Sequence, residues 1–105
     1  MLYRKFVRVK NLSIKISGKV KKTGFLFYTK QFSKIYNIHG FAEYINNTTL
    51  FIEAEGKETE LNKFIEYCKE GPFGSKITGF DIREGKIKHH HSFDISSALN
   101  TKTLS

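Results

Sequence analysis

Leu12, Ile14 and Ile16 alternate with Ser13, Lys15 and Ser17, the period of two that a half-buried strand produces, and the run continues to about Val20. At Gly24 the period changes. Phe25, Tyr28, Phe32, Ile35 and Tyr36 recur at helical spacing while Lys30, Ser33 and Lys34 fall on the other face, so a helix is predicted, with Asn37 and Gly40 as its terminators. Two strands are predicted over 41–45 and 50–54, joined by the "NNTT" turn, because asparagine tolerates positive φ. A second helix is predicted from Glu58 to Glu70, with Leu61, Phe64, Ile65 and Cys68 as its buried stripe and an acidic first turn, Glu58 and Glu60, that suits the helix dipole. "EGPFGS" at 70–75 holds the only proline and ends that helix; strands over 76–83 and 92–96 follow.

The order strand, helix, strand, strand, helix, strand predicts an α+β, ferredoxin-like βαββαβ two-layer sandwich: an antiparallel sheet with two helices on one face. A chain of 105 residues is the size of one small domain. It is assigned to 12–96, with an N-terminal extension over 1–11 and a loose polar tail over 97–105. That fold hosts many activities, so the fold alone selects none.

Charge narrows the choice. The formal net charge is +8, and residues 1–52 hold ten Lys or Arg against Glu43 alone. The excess therefore gathers in the first half, where it raises the local concentration of anions. No run reaches the length of a membrane span and the basic, alternating start is not a secretory signal, so a cytoplasmic monomer that does not engage membranes is expected. Cys68 is the only cysteine, which excludes an internal disulfide and points to a buried, inert thiol.

Within the basic half, "KVKKTGFLF" at 19–27 is a glycine-containing basic loop that runs into a helix, an arrangement suited to holding a phosphate on backbone amides. Together with "SGKVKKTGF" at 17–25, the segments "IEAEG" at 52–56, "LNKFIEYCKEGP" at 61–72 and "FDI" at 93–95 resemble the acylphosphatase family in order and spacing, over about residues 12–96. The resemblance implies a small enzyme without metal or organic cofactor that hydrolyses acyl phosphates, and hence a phosphate-bearing small anion as partner. It further implies that backbone amides of the loop surround the phosphate. An arginine after the Gly-Phe pair grips its oxygens, and an asparagine at the end of the second strand orients the attacking water.

Carried over position by position, the anion-binding loop is Lys21, Lys22, Thr23, Gly24 and Phe25. The arginine position falls on Leu26 and the asparagine position on Tyr44, so the family's two chemical side chains are replaced; a two-residue shift of the second strand would instead bring Asn46 to the asparagine position. Leu26 lies off the predicted apolar stripe. Lys22 stands where the family commonly has a second glycine, and offers a flexible point charge in place of a fixed fork. Losing one positioned electrostatic group costs about 100- to 1000-fold in rate. Anion affinity without efficient turnover is the expectation.

The remaining features point elsewhere with less force. His89, His90 and His91 would alternate faces in an extended segment and are read as a polar edge near the fifth strand, with no metal expected; His39 is read as a cation at the helix exit. "KTGFLFY" superficially resembles the aromatic motif of RNA-recognition domains but lies before the first helix, whereas the matching third strand, "LFIEAEG", is acidic. Nucleic-acid binding would therefore be weak and salt-sensitive. A protein-interaction module, using Leu2, Phe6, Val7 and Val9, is the other alternative.

Overall fold

A computed structural model describes residues 8–96. The elements are β1 (Val9–Lys19), α1 (Phe25–Tyr36), β2 (His39–Asn46), β3 (Thr49–Lys57), α2 (Glu58–Glu70), β4 (Lys76–Gly85) and β5 (Phe93–Ser96). The sheet order is β4-β1-β3-β2-β5. β1, β2, β3 and β4 pair antiparallel as predicted, but β5 runs parallel to β2, with Gly40 opposite Phe93. The sheet is therefore mixed. β1 starts at Val9, so residues 9–11, assigned to the extension by pattern, belong to the sheet. The rest of that extension before Arg8, and the tail after Ser96, lie outside the described residues.

The core sits between the sheet and the helices. Leu12, Ile14 and Ile16 of β1 and Leu61, Phe64, Ile65 and Cys68 of α2 are buried, which is the alternation and the stripe that the sequence predicts, and Leu50, Ile52 and Ala54 of β3 are buried with them. Burial pushes the Cys68 thiol far up, so it stays protonated and inert.

Helix α1 departs from its predicted faces. Its innermost residues are Phe25, Thr29 and Ser33, whereas Ile35 is 58% exposed. Ser33, expected outside, tolerates burial because its Oγ donates to the Lys30 carbonyl, as Thr29 Oγ1 does to that of Leu26. These two small residues let the helix lie close on the sheet. Tyr28, Phe32 and Tyr36 flank it as partly buried rings, and Phe32 stacks on Tyr67 of α2 at 4.1 Å between centroids. Asn37 ends the helix in the left-handed conformation, φ 56°. Gly40, expected as a terminator, lies inside β2 with φ 142°, where a Cβ would sit 1.9 Å from the Glu53 carbonyl oxygen.

The β2–β3 turn closes without positive φ at either asparagine. Instead Asn46 Oδ1 accepts from the Thr48 N–H at 2.9 Å and its hydroxyl at 3.1 Å, after an irregularity between Tyr44 and Asn46. Among the described residues no helix is long and apolar enough to cross a membrane.

Candidate functional site

Residues 21–24 form a turn between β1 and α1. Gly24 is the N-cap, at φ 79° and ψ 17°, and a Cβ there would meet nothing within 4 Å. No side chain caps the helix and its first turn holds no acid, so the positive end of the dipole is left open. Among the described residues, the amides of Lys22, Thr23, Gly24 and Phe25 make no well-formed hydrogen bond to a backbone acceptor. Lys22 adopts φ 64°, a left-handed conformation that glycine takes without strain. The loop thus keeps a glycine's backbone geometry at a lysine.

The carbonyl at the base of the loop is tied to side chains. Val20, fully buried, presents its carbonyl oxygen to two hydroxyls: Thr23 Oγ1 at 2.5 Å and the Tyr44 phenol at 2.9 Å. Burial pushes the Tyr44 phenol above its ordinary range, and a hydrogen bond with Thr23 pulls it partly back. Around this centre the Gly18 N–H donates to the Thr48 carbonyl at 2.9 Å, and Lys21 Nζ to Asn47 Oδ1 at 3.0 Å. The hairpin tip and the loop are tied together. On the far side Gly71, φ 73°, leaves room for the ring of Phe25: a Cβ there would be 3.2 Å from its Cε2.

Of the residues singled out by sequence, Lys21 through Phe25 and Tyr44 come together here. Leu26 is partly buried and packs against the core, although the periodicity put it off the apolar stripe. The reason is the rotation of α1, which turns Phe25, Thr29 and Ser33 inward and brings Leu26 to the edge of the buried face. Asn46 is exposed in the hairpin, its amide oxygen occupied by Thr48, while Tyr44 pairs with Leu50. Sequence reasoning passed over Val20 and Thr48, which act through main-chain carbonyls and leave no side-chain signal.

A second polar cluster lies on the sheet face away from the helices. Glu53 and Glu55 of β3 are buried, covered by residues 86–91 of the β4–β5 connection. Glu55 accepts the Lys88 N–H at 2.5 Å and the His90 N–H at 2.8 Å; Glu53 accepts Lys88 Nζ at 2.9 Å and His90 Nε2 at 2.6 Å; Asn11 Nδ2 reaches both. Burial raises both carboxyls, but these hydrogen bonds outweigh it and hold them below the ordinary range. His89 sits at φ 60°, so the three histidines do not simply alternate, and only His90 turns to the glutamates. His39, read as a helix-exit cation, begins β2, with its Nδ1 3.1 Å from the His90 carbonyl. Among the described residues no group of three His, Cys, Asp or Glu side chains has metal-binding geometry. Elsewhere on this face Lys15 is aligned with Asp81 and Phe51, and Phe51 with Glu43; Arg83 Nε bonds Asp81 at 3.2 Å. Acids and bases there offset one another and form no basic stripe.

The acylphosphatase family model matches residues 12–95, from the start of the buried alternation in β1 to the third residue of β5. This chain belongs to the acylphosphatase family. It is 31% identical to an acylphosphatase of Ligilactobacillus salivarius over 84% of its own length and 99% of that protein's. It is 28% identical to one of Archaeoglobus fulgidus over 81% and 96%. The crystal structure of an acylphosphatase from Bacillus subtilis superposes with a TM-score of 0.80 at 27% identity, over 83% of this chain and 98% of that one. The ferredoxin-like sandwich is thus an acylphosphatase fold, and the open helix end of α1 is its strand–loop–helix junction.

Proposed function

We propose that this acylphosphatase-like protein, a monomer of the cytoplasm, holds a phosphate-like anion on the loop 21–25 and turns over acyl phosphates poorly or not at all. The amides of Lys22 to Phe25 form the cradle, and Lys21 and Lys22 add charge. The observation that carries the reading is the pair of replacements flanking that cradle. Leu26, packed against the core, carries no charge and donates no hydrogen bond where the resemblance expects an arginine. The Tyr44 hydroxyl is given to the Val20 carbonyl where the resemblance expects an amide that orients water. Each loss removes about 100- to 1000-fold from the rate, and two such losses leave little of the enzyme even without strict additivity.

Hydrolysis of a generic acyl phosphate by the wild type, Leu26→Arg and Leu26→Arg/Tyr44→Asn tests this. Hydrolysis by the wild type close to the buffer rate is expected, with activity regained stepwise in the variants. Turnover by the wild type at the rate of an ordinary acylphosphatase would refute it.

A further inference from the structure

Two hydroxyls from different parts of the chain, Thr23 inside the loop and Tyr44 on β2, converge on one main-chain oxygen, that of Val20. A carbonyl in a turn that ends at a helix N-terminus has two directions available. If it swings outward, its oxygen faces the same side as the loop amides and repels an anion. If it is held inward, its oxygen is removed from that side and the N–H of the same planar peptide, that of Lys21, faces outward instead. Here the inward state is held twice. Val20 is fully buried, so its oxygen would carry the cost of an unsatisfied buried acceptor if both hydroxyls were withdrawn.

From this geometry we infer that Tyr44 is a positioning residue for the anion loop: its hydroxyl, with that of Thr23, fixes the Val20 carbonyl inward, which turns the Lys21 N–H of the same planar peptide outward and anchors the start of the loop that carries the amides of 22–25. The inference rests on the anion-binding reading for its purpose but not for its geometry. The phenol is long enough to span from β2 to the base of the loop. The tie lies between residues 24 positions apart in sequence, so it fixes the loop against the sheet as well as within itself. Tyr44 is thus not merely a lost asparagine. At this position the chain exchanges a side chain free to handle water for one that stiffens the cradle.

The test uses the full chain and isotope-edited NMR. In Tyr44→Phe and in Thr23→Val, the Val20 carbonyl carbon, whose chemical shift reports its hydrogen bonds, should move, and the amides of 22–24 should show increased fast motion. Thr23→Ser, which keeps the hydroxyl, should restore the wild-type pattern. Inorganic phosphate is then titrated into each protein. If the wild type responds at Gly24 and Phe25, Tyr44→Phe should bind about threefold to tenfold more weakly, the effect of losing one hydrogen bond. A wild type that ignores phosphate while Tyr44→Phe still loosens the loop would sink the anion reading and leave the positioning role standing. An unchanged Val20 carbonyl and an equally rigid loop in folded Tyr44→Phe would overturn the positioning role whatever phosphate does. So would equal phosphate affinity in the two proteins when the wild type does bind it.

Discussion

Lys22 holds a left-handed conformation, φ 64°, that a side chain pays for and a glycine does not. Replacing it isolates the conformational strain stored in the loop. For an L-residue the left-handed region costs about 1–2 kcal/mol. Lys22 is exposed, so little packing of its side chain offsets that cost. Glycine would relieve it, but would also loosen the unfolded chain by about 0.4–1 kcal/mol. The net expectation for Lys22→Gly is stabilisation by about 0.5–1 kcal/mol, which in a domain of this size raises Tm by about 3–5 °C. Lys22→Ala is the control: it removes the same charge and keeps the strain, and should stay within about 0.5 kcal/mol of the wild type. Urea unfolding at two salt concentrations separates conformation from charge, because screening affects only the latter. A glycine variant no more stable than the alanine variant would show that the backbone at residue 22 stores no strain.

Two further outcomes follow from the buried glutamates and from Gly40. Because Glu53 and Glu55 are held below the ordinary carboxyl value of 4.5, the unfolded state binds more protons than the folded one as pH falls through that region; the stability they contribute is complete above it and lost below. Glu53→Gln should therefore flatten the acid limb of a stability–pH curve, and an unchanged limb would refute the assignment. Gly40→Ala forces a Cβ onto the Glu53 carbonyl, so β2 and β3 must separate; a loss of about 3 kcal/mol or more in urea unfolding is expected, and a near-neutral substitution would contradict the register.

The fold was legible because strand and helix write different periods. β1 and α2 carry theirs without interruption, and their buried apolar residues are the predicted ones. The errors have local causes. Periodicity places Ser33 outside because a hydroxyl reads as polar, yet it satisfies itself on its own helix. β5 has four residues, too few to state a direction, and its parallel pairing follows from where the preceding chain arrives. Glu53 and Glu55 alternate with Ile52 and Ala54 and so read as a wet face; their cover comes from a stretch with no period. The one available hint was the spacing of Lys88 and His90, two apart like the two glutamates. At the candidate site, Lys21 to Phe25 and Tyr44, which the structure brings together, stand out in the sequence because side chains mark them, whereas the inward turn of Leu26 depends on the rotation of α1. The carbonyl of Val20 does not stand out, since main-chain geometry has no letter.

The segment that covers those glutamates also sets a tether length. Gly85 of β4, Asn11 of β1, Glu55 of β3 and His39 of β2 pair in succession, and Gly40, the next residue of β2, pairs with Phe93 of β5. The chain from Gly85 to Phe93 therefore crosses the sheet along a single row of pairs, over four strand spacings or about 19 Å. Eight residue steps reach at most about 26–29 Å, and part of that is spent rising over the side chains beneath. Removing two residues from 86–91 would leave about 20–22 Å, barely the distance itself. In this domain an edge strand is leashed to the opposite edge, so the length of a stretch without regular structure, rather than any hydrogen bond within it, decides whether the fifth strand can reach its place.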